Sequence, residues 1–295
     1  MPPTIKKILF LILLAGTLHV TLPAQTKVQV VTRSVVKLFE YKSGVSLEIK
    51  GEKATILIKP SVDNTIKVKL SLISKNPSKA VAEEDLQYCV YKIDERSGRI
   101  EISNSFANSN AYKEITSNLS TKYELEVPAG IILNINNIYG NAELSNLTGN
   151  ISIASSFGQV SFTNISGAIT IISNYSDIEG NGLNGQGNIN AQQAEISLLN
   201  INNTCTIRNK FGTIAIEGVN APVNIAAEMT RINVSLGDLK RYSLNFETQN
   251  DKILVSEALR KLVSQKSGKT YFAYTNGTIS IKAKTTYNTI TLKTN

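Results

Sequence analysis

The sequence YGNAELSNLTGNISIASSFGQVSFTNISGAITIISNY, residues 139–175, repeats one pattern after 18 residues. Tyr139-Gly140 corresponds to Phe157-Gly158, and Ile151-Ser152-Ile153 corresponds to Ile169-Thr170-Ile171. When the chain is written in rows of 18, the same register continues through five rows without an insertion. A fixed period of this kind is typical of a repeat fold, in which each unit buries its apolar side against its neighbours.

Apolar residues recur in six of the 18 columns when Tyr139 opens the first row, namely columns 1, 4, 6, 9, 13 and 15. Columns 4 and 6, like columns 13 and 15, are two residues apart, which is the period of a β-strand. We therefore predict that all six columns point into a shared core, with Ser, Thr, Asn and Gln outside. Column 1 holds Tyr139, Phe157, Tyr175, Gln193, Phe211 and Met229.

Turn residues separate the predicted strands. Column 8 holds Asn146, Asn164, Gly182, Asn200 and Gly218, and column 11 holds Gly149, Gly167, Gly185, Asn203 and Ala221. Asn and Gly accept the left-handed backbone conformation, so both columns are predicted corners, and column 8 could form an asparagine ladder. The fold class is all-β, and the architecture predicted is a β-solenoid, a single-stranded β-helix with 18-residue coils. A meander of hairpins is the weaker alternative, because hairpin loops rarely keep a fixed period.

The predicted organisation has three parts. Residues 1–24 form a signal peptide, and residues 25–122 form a less regular β-rich region, either separate or made of irregular coils of the same solenoid. Residues 123–295 form the β-solenoid, with an insertion or cap near 240–270. Short helices are predicted near Ser78–Leu86 and from Ser256 to about Gln265, where capping residues precede helix formers.

The amino terminus has the layout of a secretory signal. Lys6 and Lys7 precede an apolar run of 13 residues, Ile8–Val20, and small residues follow before Gln25. A retained membrane anchor is the alternative. The mature chain is predicted to have no membrane span and to lie in the periplasm, at the outer membrane or outside the cell.

Composition excludes several kinds of chemistry. The single histidine, His19, lies in the predicted signal peptide, which removes histidine-based nucleophile activation and most zinc sites from the mature chain. No metal or cofactor is therefore predicted.

Cys89 and Cys205 either form a disulfide or, as we favour, are two buried small hydrophobic residues. The net charge of +8 comes from scattered basic residues, so no nucleic-acid partner is predicted. Aromatic residues make up only 6% of the chain, which argues against a binding platform of stacked rings.

The segment Tyr123–Gly130, followed by repeated YG or FG corners and GxIxI strands, resembles the bacterial putative-adhesin family, which includes the auto-transporter adhesin head and head GIN domains. The resemblance covers the chain from about Val45 onward. It implies an exported β-solenoid of a Gram-negative envelope and supplies no catalytic or binding residues. No translocator barrel of the kind found in a true autotransporter is predicted within this sequence.

Three functions remain open from the sequence. The favoured one is a non-enzymatic envelope protein that presents a polar face to a glycan or to an envelope protein, with column 14 as a candidate ladder: Thr170, Asn188, Thr206 and Asn224. The alternative is a carbohydrate-active β-helix enzyme, a lyase or hydrolase, with Asp177 and Glu195 on adjacent rows as its carboxylates. A structural spacer without a ligand is the third.

Overall fold

The computed structural model describes residues 27–107 and 114–294, and strands dominate both parts. The predicted all-β class is confirmed. The predicted signal peptide, residues 1–24, lies outside the described residues and stays a prediction. The first seven strands are β1 (Gln29–Glu40), β2 (Ser46–Glu52), β3 (Ala54–Pro60), β4 (Thr65–Asn76), β5 (Cys89–Arg96), β6 (Arg99–Phe106) and β7 (Asn118–Val127).

The middle of the chain is a stack of parallel strands. Its members are β8 (Ile132–Ile138), β9 (Ala142–Ser145), β10 (Ile151–Ile165), β11 (Ile169–Leu183), β12 (Gly187–Ile201), β13 (Cys205–Val219) and β14 (Val223–Leu236). From β10 to β14 each strand pairs in parallel with the next, and every partner lies 18 residues further on, as in Ile153 with Ile171 and Ile171 with Ile189. The backbone groups of one row therefore bond to the rows above and below.

Five of the six predicted core columns, 4, 6, 9, 13 and 15, are buried throughout these rows. The column-15 ladder consists of Ile153, Ile171, Ile189, Ile207 and Ile225, each at most 1% exposed. Alternation along each strand sends these side chains inward, and each contributes about 1.5–3 kcal/mol when fully buried. The core is a set of such ladders that runs continuously along the stack.

The prediction that column 1 points inward is wrong. Its residues are exposed, and all six have a left-handed backbone, with φ between 46° and 64°. A left-handed residue reverses the alternation of side chains, so columns 18 and 1 both face outward before column 2 turns inward again. Column 1 is therefore a corner of the row, equivalent to column 8.

The expectation that Ser, Thr and Asn all lie outside also fails at this corner. Columns 17 and 2 point inward, and they bury Ser155, Ser173, Ser176, Asn209 and Thr230. Small polar residues suit these positions because the corner leaves backbone groups that the strand ladder does not bond. These side chains supply the missing hydrogen bonds.

The column-8 corner has the predicted left-handed conformation at Asn146, Asn164, Gly182, Asn200 and Gly218. One bond of the expected asparagine ladder is present, since Asn164 Nδ2 donates to Asn146 Oδ1 at 3.2 Å. Column 11 differs, because none of its residues has a positive φ. Its glycines are required by close approach, as a Cβ added at Gly167 would overlap the carbonyl oxygen of Gly149 in the row before.

The rows at the amino-terminal end are not stacked in chain order. β2 lies between β6 and β8, and β3 lies between β7 and β9, in each case by parallel pairing. The chain thus forms the β2–β3 row first, passes outward to the β6–β7 row, and returns to the far side for β8–β9. Antiparallel strands complete this end, with β1 pairing to β4, β4 to β7 and β5 to β6.

The carboxyl-terminal end has the same kind of exchange. Its strands are β15 (Tyr242–Gln249), β16 (Ile253–Leu254), β17 (Val263–Lys266), β18 (Lys269–Thr275), β19 (Ile279–Thr286) and β20 (Ile290–Thr294). The β19–β20 row pairs with β14 on one side and with β15–β16 on the other. The β17–β18 hairpin adds to β15 in antiparallel fashion. The last row in sequence is therefore inserted inside the stack.

Helices are few in the described part of the chain. The first predicted one is present as α1 (Lys79–Asp85), and the Ser78 hydroxyl accepts from the amide of Val81 at 3.4 Å. The second prediction is wrong in type and extent. Glu257–Leu262 is a 3-10 helix without a side-chain cap from Ser256, and strand β17 follows it directly.

Candidate functional site

Three aromatic side chains in column 1 stack on one another at the surface. The ring centroids of Tyr139 and Phe157 are 5.1 Å apart at 15°, and those of Phe157 and Tyr175 are 5.0 Å apart at 9°. The three residues are 56%, 48% and 51% exposed, respectively. We call them the aromatic ridge. The sequence-based argument against stacked rings was wrong, because the 18-residue register lines up a few aromatic residues that composition counts as sparse.

A buried polar seam beneath the ridge fixes its geometry. Ser176 Oγ accepts from the amide of Gly158 at 3.1 Å and from Ser155 Oγ at 3.1 Å, while Ser173 Oγ donates to the carbonyl of Ser176 at 2.5 Å. These bonds hold the two sides of the corner together just inside Phe157 and Tyr175. The rings are consequently carried on a fixed backbone rather than on a loose loop.

The same seam continues under the later rows. Asn209 Nδ2 donates to the carbonyl of Ala194 at 3.0 Å, and Thr230 Oγ1 donates to the carbonyl of Asn209 at 3.2 Å. Thr285 Oγ1 extends it by donating to the carbonyl of Thr230 at 2.8 Å. The corner therefore keeps one shape along the stack, whichever side chain column 1 carries.

Stability alone does not explain aromatic residues at these positions. The left-handed backbone at three non-glycine residues destabilises the fold by about 3–6 kcal/mol, whereas the two ring-stacking contacts stabilise it by only about 1–3 kcal/mol. Asn would tolerate the same backbone at lower cost, as it does in column 8 at Asn146 and Asn164. An exposed aromatic ladder held in an unfavourable conformation is the kind of feature that marks a functional surface.

An uncharged polar face adjoins the ridge on the side of columns 14, 16 and 18. Over β8, β10, β11 and β12, none of its twelve outward positions carries a charge. We call this the neutral face. Its residues are Asn134, Asn136, Ile138, Ser152, Ala154, Ser156, Thr170, Ile172, Asn174, Asn188, Asn190 and Gln192.

Charged rows bound the neutral face at both ends. On β2 the same columns hold Glu48 and Lys50, which form an ion pair at 2.9 Å. On β13 they hold Arg208 and Lys210, and Lys210 pairs with Glu228 at 3.2 Å. The neutral face is thus confined to four rows, and the three rings of the aromatic ridge border the first three of these rows.

The predicted polar ladder lies partly on this face. Thr170 pairs in register with Asn188, Asn188 with Thr206, and Thr206 with Asn224, so the structure brings all four into one column. Thr170 and Asn188 belong to the neutral face, whereas Thr206 and Asn224 lie in charged rows. No hydrogen bond joins the four side chains to one another, so their polar groups remain directed to solvent.

The two carboxylates of the enzyme alternative lie on the opposite side of the ridge, in column 3. Both are exposed, and Asp177 Oδ1 accepts from the backbone amide of Glu195 at 2.9 Å. Asn141 makes the matching bond to the amide of Gln159 at 3.1 Å. The column-3 side chain therefore accepts a hydrogen bond from a backbone amide that has no partner in the strand ladder at the corner. The Asp177 carboxylate shares this structural role with the uncharged side chain of Asn141.

A cavity of about 420 Å³ lies on the outer side of β3, β4 and β7, away from the ridge. Its lysines are paired with two of its carboxylates, Lys59 with Glu126 at 3.2 Å and Lys69 with Glu124 at 2.8 Å. The Lys69 ammonium, followed by that of Lys122, lowers the pKa of the Glu124 carboxyl through hydrogen bonds. This network pairs the three lysines of the cavity with Glu124 and Glu126, which suits the surface of a sheet better than a ligand site.

Neither cysteine offers a nucleophile. Both are buried and free, so the alternative of two small hydrophobic residues is confirmed over a disulfide. Burial raises the pKa of the Cys89 thiol to about 11 and that of Cys205 to about 12. Within residues 27–107 and 114–294, no three His, Cys, Asp or Glu side chains are grouped so as to hold a metal ion. No helix in this part of the chain has the length and apolar character needed to cross a membrane.

Comparison with known proteins places this chain near several solved structures at low similarity. No protein-family model matches it, and no curated protein matches it. A putative adhesin from Parabacteroides distasonis ATCC 8503 is similar, with 10% identity and a TM-score of 0.36, over 88% of this chain and 97% of that one. A putative adhesin from Bacteroides fragilis NCTC 9343 has 12% identity and a TM-score of 0.29, over 89% and 97%.

A putative cell adhesion protein from Clostridium sporogenes ATCC 15579 is also similar, with 10% identity and a TM-score of 0.27, over 90% of this chain and 100% of that one. Identities and TM-scores this low do not support an inference about function.

Proposed function

We propose that the chain is an exported, non-enzymatic β-solenoid of the bacterial cell envelope that binds a partner through the aromatic ridge and the neutral face. The observation that carries the proposal is the coincidence of the two features on the same rows. Three exposed, ordered rings lie beside twelve uncharged outward positions, and both are built on a continuous ladder core. A surface made only for solubility would carry dispersed charges there.

The export part of the proposal rests on the amino-terminal sequence. Lys6, Lys7 and the apolar run Ile8–Val20 are typical of a secretory signal. Membership of the putative-adhesin family, with its head GIN domains, is part of the same proposal and rests on the Tyr123–Gly130 segment and the repeated corners. Periplasm, outer membrane and cell exterior are all compatible with it.

A binding screen tests the proposal. The purified protein is applied to a glycan array and to solubilised envelope fractions, and the same glycans are monitored for new products. Retention without product supports a binding protein. Product formation contradicts the non-enzymatic proposal, and retention by neither glycans nor envelope fractions favours a structural spacer.

The enzyme alternative has its own control in the Asp177→Asn, Glu195→Gln double variant. Loss of product formation in this variant, with unchanged melting, would support a carbohydrate-active enzyme at column 3. Because the Asp177 side chain bonds the amide of Glu195, Asn can keep that bond through its own carbonyl oxygen. The variant therefore separates a chemical role from a structural one.

A further inference from the structure

We propose that the aromatic ridge and the neutral face form one binding site for an extended, uncharged polysaccharide. This inference rests on the proposed binding function and names its ligand class and its residues. The ridge supplies Tyr139, Phe157 and Tyr175, and the adjoining face supplies amide and hydroxyl groups from β8, β10, β11 and β12.

The distribution of charge favours an uncharged ligand. The chain carries a net charge of +8, yet the neutral face has no charged residue and is bounded by charged rows at Glu48 and Lys50 on one side and at Arg208 and Lys210 on the other. A polyanion such as nucleic acid, an acidic polysaccharide or an anionic lipid surface would gain from basic residues here. Their absence from these twelve positions fits a ligand without charge.

The polar groups of the neutral face are amides and hydroxyls, which suit a sugar. Asn134, Asn136, Asn174, Asn188 and Asn190 place amides on the face, each of which offers two donors and an acceptor. Hydroxyls lie in register with them, as in the pairing of Thr170 with Asn188. Sugar hydroxyls both donate and accept hydrogen bonds, so amides and hydroxyls are suited to bind them, while aromatic rings cover their apolar C–H surfaces.

The groups on this surface repeat at a regular spacing. The ring centroids recur every 5.0–5.1 Å along the ridge, and the polar columns recur with the strand spacing. Four rows by five residues give a face of about 14 by 13 Å, which is room for a few sugar rings in a line. A linear polymer of identical units can repeat its contacts along such a surface. A folded protein partner would find few apolar anchors on the face beyond Ile138 and Ile172, which are 40% and 49% exposed.

The surface that carries the rings is rigid. The Ser155, Ser173 and Ser176 seam fixes the corner that carries the rings, so little conformational entropy is lost when a ligand binds. The stacked arrangement also limits the motion of each ring. The site is therefore preorganised in the absence of the ligand.

Retention on insoluble polysaccharides tests the proposal. The full-length purified protein is incubated with cellulose, curdlan and mannan as uncharged probes and with calcium alginate as a charged one. We expect the protein to be retained on at least one uncharged probe, and the retained fraction to change little when the salt concentration is raised. A basic binding surface would instead prefer alginate, and we expect no such preference.

The key variant is Tyr139→Asn, Phe157→Asn, Tyr175→Asn, in which Asn tolerates the left-handed backbone and keeps the corner. Tyr287→Asn is the matched control, since Tyr287 is left-handed and exposed in the same column but lies beside charged rows. We expect the triple variant to bind about tenfold more weakly or worse, and the control to bind as the wild type does. Ile172→Lys, which places a charge in the middle column of an inner row of the neutral face, is expected to weaken binding without altering the ridge.

Each other outcome overturns the proposal in a distinguishable way. Full retention of the triple variant on an uncharged probe would remove the ridge from the site but leave the proposed binding function. Retention only on alginate, or a change in oligomeric state without a change in retention, would assign the surface to a charged ligand or to a second copy of the chain. Failure to bind any polysaccharide, with retention on an envelope protein fraction, would assign it to a protein. Failure on every probe and fraction would remove the proposed function as well.

Discussion

Column 6 of the core offers a direct test of the ladder packing. It holds Leu144, Phe162, Gly180 and Leu198 in successive rows, and a Cβ added at Gly180 would overlap the ring of Phe162. The Phe162 ring is 2% exposed and fills the space that the missing side chain of Gly180 leaves. The two residues are therefore expected to be energetically coupled.

Each single substitution should destabilise the protein. Gly180→Ala forces a methyl group into the Phe162 ring, which costs about 1–3 kcal/mol as overpacking. Phe162→Leu leaves part of the ring volume empty above a glycine, which costs about 1–2 kcal/mol, less than the 3–5 kcal/mol of a truncation to Ala. In the double variant, the methyl group added at position 180 occupies space that the shorter side chain at position 162 leaves free.

The double variant Phe162→Leu, Gly180→Ala should therefore be more stable than the sum of the two single effects predicts, by about 1–3 kcal/mol. Denaturant unfolding of the wild type, the two single variants and the double variant measures this coupling energy. Ile232→Val together with Gly180→Ala is a control pair, since Ile232 lies in column 4 of β14, three rows away from β11. A coupling energy for Phe162 and Gly180 no larger than that of the control pair would refute the packing argument.

Three further predictions follow from the register, the ion pairs and the buried thiols. Deleting Asn164 alone should lower the melting temperature sharply, because every later residue of that row changes face, whereas deleting residues 157–174 as a whole row should leave a cooperative, folded protein; equal losses would contradict the stacking register. The hydrogen bond from Lys269 lowers the pKa of the Glu247 carboxyl, so its stabilisation is present above the unfolded pKa near 4.5 and is lost as the pH falls through the folded value. The melting temperature of Glu247→Gln should therefore be lower than that of the wild type at neutral pH, and the two melting temperatures should converge in acid. A difference that persists in acid would contradict the stabilising ion pair. Cys89 and Cys205 should react with a thiol reagent only after denaturation, and rapid reaction of the native protein would contradict their burial.

Much of the core could be predicted from the sequence because it depends on alternation alone. Val160, Ile178 and Ile196 recur with a fixed period and with apolar partners two residues away, which specifies both a strand and its inward side. The column-8 corner was also predictable, since Asn164 and Gly182 belong to the residue types that accept a left-handed backbone. These are local properties of the sequence, and the same pattern recurs in several rows of the repeat.

The candidate site was missed because its corner carries residues that are atypical of corners. Hydrophobicity placed Tyr139, Phe157 and Tyr175 inside, whereas their left-handed φ turns them outward. A signal was present in the spacing. Inward columns 6 and 9 are three apart across the Asn corner, and columns 17 and 2, which hold small residues such as Ser173 and Ser176, are also three apart.

The sequence by itself determined the period, the strands and five columns of the core, since these depend on which residues recur and on the alternation of side chains along a strand. The order of the rows at the two ends depended on the tertiary structure, because β2 and β19 obtain their neighbours from pairings between segments far apart in the chain. The exposure of the ridge depended on it as well, because a single backbone angle at each corner reverses the direction of a side chain. Hydropathy alone does not encode that angle. The corner is fixed by hydrogen bonds from buried serine, threonine and asparagine side chains, and these bonds form only between neighbouring rows of the stack.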